Sequence, residues 1–184
     1  WYTGNKRDLP WRRTNDPYAI WLSEIILQQT RVEQGLPYWE RFMKNFPTVI
    51  SLADADQDSI LRLWQGLGYY SRARNLHAAA KYIRDELDGK FPNTYNEILK
   101  LKGVGPYTAA AIASFCFGET TPVVDGNVFR FAARFFGIKE DIASSKARIV
   151  FEKILQKHIP AEDPGSFNQG LMEFGSRQCS PAPN

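Results

Sequence analysis

The sequence predicts an all-α protein. Three observations carry that reading: helix start and stop signals punctuate the chain throughout, the connections between them are short, and no stretch alternates as a half-buried strand would. Asp16-Pro17 has the form of an N-cap followed by proline at the first helical position, and it opens "YAIWLSEIILQQT". Further helices are predicted over "VEQGLPYWERFMKNF", "DSILRLWQGL" and "YSRARNLHAAAKYIRDELDG", the last ended by Gly89. "TYNEILKL", "PYTAAAIASFCF", "GNVFRFAARFFG", "KARIVFEKILQKHI" and "SFNQGLMEFGS" complete the set. No internal repeat, charge block or low-complexity linker interrupts the order.

Composition narrows the class. The 184 residues are 43% hydrophobic and 23% charged, as in an ordinary globular domain able to bury a sizeable core. A net charge of +3 is compatible with a polyanionic partner without requiring one. No apolar run is long enough for a membrane span, and the opening "WYTGNKRDLPW" is no secretory signal. It lacks a methionine, so a trimmed chain is expected. The two cysteines, Cys116 and Cys179, suggest no disulfide framework and hence a reducing, cytoplasmic setting. Cys116, within "AAIASFCFG", reads as a buried free thiol.

In "LKGVGPYTAAAI" a glycine turn joins two helical stretches. Gly103 and Gly105 can take positive φ and let another backbone approach. Pro106 suits the first turn of the next helix, whose outward N–H groups form a ready anion site. A DNA phosphate suits such a site, but a plain helix–helix turn would look the same.

Two carboxylates attract attention. Glu24 lies among Ile20, Trp21, Ile25, Ile26 and Leu27, on a helix apolar nearly all round and therefore buried. Either an arginine neutralises it, with Arg12 and Arg13 as candidates, or it sits in a pocket with a raised pKa and serves as a general acid. Asp125, in "TPVVDGNVFRF", reads first as a helix N-cap. Paired carboxylates from different segments are also what glycosidic bond cleavage requires: one protonates the leaving group, the other stabilises the oxocarbenium ion.

The segments together resemble one family. "LKGVGPYTA" followed by "VVDGNVFR" is similar to the helix-hairpin-helix, endonuclease III-like DNA glycosylases. "LPWR", "WLSEIILQQTRV", "PYWERFMKNFPT", "LWQGLGYYSRARNLH" and "FNQGLMEFG" resemble, within that superfamily, the A/G-specific adenine DNA glycosylases of the MutY kind. The likeness covers essentially the whole chain, as a catalytic domain.

What the resemblance implies is concrete. The fold has two helical lobes around a cleft, a helical-barrel lobe over 9–118 and a second built from 1–8 and 119–184. The substrate is double-stranded DNA with adenine opposite 8-oxoguanine or guanine, bound by a monomer in a nucleoid-associated setting. Glu24 matches the acid that protonates the adenine ring, Asp125 the carboxylate that stabilises the oxocarbenium ion, and Asn127 its orienting neighbour. The adenine is flipped from the duplex to reach them. Trp11, Arg12, Leu27, Val32, Tyr107, Gln169 and Met172 match the adenine pocket. Gln29 and Tyr69 match side chains that wedge into the base stack, while Gly103, Gly105 and Thr108 match the hairpin on the DNA backbone. Tyr107 stands where bifunctional relatives carry a Schiff-base lysine; it has no amine, so a monofunctional enzyme is implied. Carbonyls near Leu101 and Val104 match a monovalent-cation site.

The sequence also departs from the family. Lys102 replaces a usual proline in the hairpin. The family ligates a 4Fe-4S cluster through Cys-x6-Cys-x2-Cys-x5-Cys, but Cys179 alone matches it, so this chain as written is expected to lack the cluster. The family's separate C-terminal domain for 8-oxoguanine has no counterpart in these residues. Two rivals remain open: a bifunctional glycosylase/lyase, and a non-catalytic helix-hairpin-helix module that binds duplex with steep salt dependence.

Overall fold

The computed structural model describes residues 1–138 and 145–181, with the backbone alone at 145 and 146. Among them are eleven α-helices, one 3-10 helix and no strand, so the all-α expectation holds. A short α1 (Tyr2–Asn5) and the 3-10 turn Pro10–Arg12 precede α2 (Pro17–Ile26). The Asp16 carboxylate caps α2 by accepting the Tyr18 N–H at 3.0 Å, and Pro17 opens it as predicted. The helix stops at Ile26, short of the predicted Thr30, because Leu27–Thr30 turn away through Gln29 at φ +56°.

α3 (Val32–Asn45), α5 (Gln57–Trp64) and α6 (Ser71–Glu86) follow the sequence pattern closely. Between them lies α4 (Val49–Asp54), which the hydrophobic pattern does not announce. Its local chemistry does: Thr48 and Ser51 satisfy each other's backbone N–H groups in a capping box. α7 (Tyr95–Ile98) is only one turn, followed by α8 (Pro106–Phe117), which ends in the left-handed Gly118. α9 (Gly126–Phe136), α10 (Ser145–Gln156) and α11 (Pro164–Arg177) complete the chain, with Asp125 and Asp163 as caps of α9 and α11.

Two main apolar clusters form. The larger gathers the fully buried Trp21, Leu22, Phe42, Ile60, Trp64 and Ile83 from α2 to α6 and reaches Ile112 of α8. Each such side chain contributes about 2–3 kcal/mol by leaving water. The smaller joins α9, α10 and α11 through Val128, Ala132, Phe151 and Leu155. α8 runs between them: it packs on α2 and α7 on one side and on α11 on the other. Its alanines permit that approach, since Ala109 and Ala111 are fully buried.

α11 locks the segment leading to Asp125. The buried Asn168 accepts the Val123 N–H at 3.1 Å and donates to the Thr121 carbonyl at 2.9 Å. A Cβ at Gly175 would lie 2.6 Å from the Asn127 carbonyl oxygen, so only glycine lets α11 sit this close to the first turn of α9.

Candidate active site

A cleft of about 250 Å³ opens where α2, the start of α8, the start of α9 and α11 meet. Its wall includes ten residues named from the sequence: Trp11, Arg12, Glu24, Leu27, Val32, Tyr107, Asp125, Asn127, Gln169 and Met172. Residues 160 positions apart are thus brought to one site.

Glu24 is buried in the apolar core of α2 and points into this cleft. Burial raises its carboxyl from 4.5 to about 7; the Tyr107 hydroxyl opposes that shift as a hydrogen-bonding group, and the Asp125 charge adds to it. Neither arginine considered from the sequence forms an ion pair with it. Arg13 pairs with Asp8 at the surface, and Arg12 is taken by Glu173 at 2.7 Å. Glu24 therefore lies in the pocket without an arginine ion pair. The Tyr107 phenol is held well above its usual pKa by burial and by the Glu24 charge, so it stays a neutral hydroxyl.

Asp125 performs the capping role directly. One carboxylate oxygen accepts the Val128 N–H at 2.7 Å, and the other accepts from the Asn127 side-chain amide at 3.0 Å. Arg130 holds the Asn127 amide oxygen at 2.9 Å and reaches back to the Gly175 carbonyl at 2.6 Å. The carboxylate is therefore fixed at the mouth of a helix N-terminus, whose dipole favours its charge.

Sequence reasoning did not single out Glu173. Fully buried on α11, it accepts from Arg7 Nε at 2.8 Å and Arg12 Nη2 at 2.7 Å. Burial alone would raise its pKa, but the two guanidinium groups outweigh that and hold it at about 2. A carboxylate in the apolar "LMEFG" was the available signal, of the same kind as Glu24. Gln169, one turn earlier, accepts from the Tyr2 hydroxyl, which ties α1 to α11 beside the cleft.

The remaining named residues lie outside the cleft. Gln29 and Tyr69 are exposed, at φ +56° and +46°, on separate turns. Gly103 has the positive φ foreseen, +81°, and a Cβ there would meet Asn75 Cβ at 2.7 Å. Gly105 differs from expectation: its φ of −97° is open to any residue and nothing lies within 4 Å of a Cβ. It instead leaves the N-terminus of α8 without a side-chain cap, with the first-turn N–H groups facing outward. The Thr108 side chain is buried, whereas Lys102 and Pro106 of the same turn are exposed. The Leu101 carbonyl, named for a cation, accepts the Val104 N–H at 3.1 Å.

Cys116 is half-buried rather than fully so, with its thiol pushed up to about 12 by burial. Cys179 is a free thiol 3.1 Å from Arg134 Nη1. Among the described residues no group of three or more potential ligands could hold a metal ion. One thiol does not fit a four-cysteine cluster.

A helix-hairpin-helix turn beside a two-carboxylate cleft defines a class, and comparison with known proteins agrees. Residues 22–157 match the family model described as HhH-GPD superfamily base excision DNA repair protein. The chain belongs to that superfamily. It is 40% identical over 180 residues, 97% of its length, to the adenine DNA glycosylase of Buchnera aphidicola subsp. Acyrthosiphon pisum (strain APS), covering 51% of that protein. With the adenine DNA glycosylase of Homo sapiens it shares 42% over 190 residues, covering 98% of this chain and 35% of the other. The chain thus spans about half or less of the length of these curated relatives. Among solved structures, a thermostable thymine-DNA glycosylase superposes with a TM-score of 0.89 at 28% identity, over 98% of this chain and 83% of that one. An endonuclease III–DNA covalent intermediate superposes at 0.83 with 21% identity, over 100% and 84%, a likeness of fold alone. Among the described residues no helix is long and apolar enough to cross a membrane.

Proposed function

We propose that this chain is the catalytic region of a monofunctional adenine DNA glycosylase. It hydrolyses the N-glycosidic bond of adenine mispaired with 8-oxoguanine or guanine in double-stranded DNA, acting as a monomer. The observation that carries the reading is Glu24, a buried carboxyl in a cleft whose pKa of about 7 leaves much of it protonated near neutral pH. The adenine DNA glycosylase names among the relatives supply the base.

In this reading the flipped adenine enters between Trp11, Arg12, Leu27, Val32, Gln169 and Met172. Glu24 gives its proton to the ring at N7, which turns the base into a neutral leaving group. As the bond to C1′ breaks, the charge of Asp125 stabilises the oxocarbenium ion, with Asn127 and the α9 N-terminus holding that carboxylate still. Water then adds to C1′ and passes its proton to the Glu24 carboxylate, which restores the acid as the free base departs. Tyr107 has no amine for a Schiff base, so the product keeps an abasic site in an unbroken strand.

The two lobes are residues 9–118 and residues 1–8 with 119–184. The first-turn N–H groups of α8 take a DNA phosphate beside the target, with Gly105 leaving room for it. Gln29 and Tyr69 enter the base stack. An iron–sulfur cluster in the full-length protein would involve Cys179, which lies outside the cleft and takes no part in these steps.

The test is single-turnover base release by the full-length protein from a duplex with one adenine opposite 8-oxoguanine, read with and without alkali. Free adenine with strand breakage only after alkali is expected. Breakage without alkali would make it a lyase, and binding without release a non-catalytic module.

A further inference from the structure

Arg72 is a buried cation with no carboxylate partner among the described residues, on the second residue of α6. A helix N-terminus is the wrong end for positive charge. Burial lowers its pKa, and its Nε is buried without a hydrogen-bond partner. By itself such a group costs stability, since a buried charge is expensive unless many dipoles surround it.

The dipoles belong to two separate turns. Nη1 donates to the carbonyls of Ile25 at 3.2 Å, Ile26 at 2.9 Å and Gln28, at the C-terminal end of α2 and in the turn after it. Nη2 donates to the carbonyls of Leu67 at 3.2 Å and Gly68 at 3.4 Å. The guanidinium also lies over the rings of Trp64 and Tyr69, at 5.1 and 5.8 Å from their centroids. Each turn ends in an exposed residue with a backbone an L-residue rarely adopts: Gln29 at φ +56° in one, Tyr69 at φ +46° in the other. The first turn is also the rim of the cleft, which Gln28 and Thr30 line.

We infer that Arg72 is a positioning residue whose guanidinium clamps the 27–30 and 66–70 turns together, so that Gln29 and Tyr69 enter the duplex as one preformed wedge. The inference depends on the reading above that these two tips meet DNA. Two strained turns joined by nothing local would sample other conformations; a planar fork with donors on both sides fixes their separation. Lysine keeps the charge but not the fork.

The experiment uses the full-length protein and two duplexes. One carries 2-aminopurine in place of the target adenine, which brightens on leaving the stack; the other carries an abasic-site analogue, which needs no extrusion. Arg72→Lys is expected to bind the abasic duplex within about twofold of wild type while base extrusion and single-turnover release fall at least about tenfold. Combined with Tyr69→Ala, it should lose no more than the worse single variant. Equal losses on both duplexes, or losses that multiply, would overturn the clamp. If the wild type extrudes no base, the reading of the tips fails instead, and hydrogen exchange of the free protein decides the clamp. Faster exchange in Arg72→Lys confined to 27–30 and 66–70 supports it, and a uniform increase across α2 and α6 sinks it.

Discussion

At the scale of single residues, two buried glutamates, Glu24 lining the cleft and Glu173 on the helix beside it, are driven in opposite directions. Glu24 has apolar surroundings and a neutral phenol; Glu173 has two guanidinium groups. Glu24→Gln is expected to abolish adenine release while duplex binding persists; equal loss of both would make Glu24 merely structural. The same variant should be more stable than wild type above neutrality. Because the folded protein holds the Glu24 proton from 4.5 up to about 7, ionisation erodes stability as pH rises through that window. The gain should approach about 3 kcal/mol at about pH 8 and vanish below the unfolded pKa, measured by denaturant unfolding. Glu173 has the reverse sign: its stabilisation is present above the ordinary carboxyl value of 4.5 and lost as pH falls toward about 2. Glu173→Gln should cost about 3 kcal/mol at neutral pH by stranding Arg7 and Arg12, and a thermal melt unchanged from wild type would contradict that. Glu24 was legible in the sequence because a carboxylate within an apolar helix is anomalous by itself. The role of Glu173 was not, since its partner Arg7 lies 166 residues away.

At the scale of elements, caps and glycines carry the site. Most helices were readable from their start and stop signals, Asp16-Pro17 and Asp125 among them, because capping is local chemistry. α4 escaped because six residues are too few for an apolar period to emerge, although its capping box was there to read. Gly105 shows the converse error: its residue type suggested a positive φ, but the structure uses the missing side chain to leave a helix end open. The contact of Gly175 with α9 lay beyond any sequence pattern. Gly175→Ala would press a methyl group against the Asn127 carbonyl, so the first turn of α9 must move and carry Asp125 with it. It should cost about 1–3 kcal/mol of stability and slow single-turnover release at least about tenfold with little change in duplex affinity. An unchanged release rate would show that the carboxylate does not depend on this fit.

At the scale of the whole molecule, the cleft exists because the chain folds its ends together. α1 and the 3-10 turn at one end meet α11 at the other through Tyr2–Gln169 and the Arg7–Glu173–Arg12 cluster, beside a cleft that takes Glu24 from α2 and Asp125 from the start of α9. That assembly was legible only through the family resemblance, since nothing local ties residue 7 to residue 173. The proposed chemistry requires Glu24 to work as a protonated acid. The most direct test is the pH profile of single-turnover adenine release by the full-length protein on an adenine:8-oxoguanine duplex. The rate should be level in mild acid and fall about tenfold per pH unit above an apparent pKa near the Glu24 value of about 7. A rate that stays flat through neutrality to about pH 9, or that rises with pH, would contradict a proton supplied by Glu24.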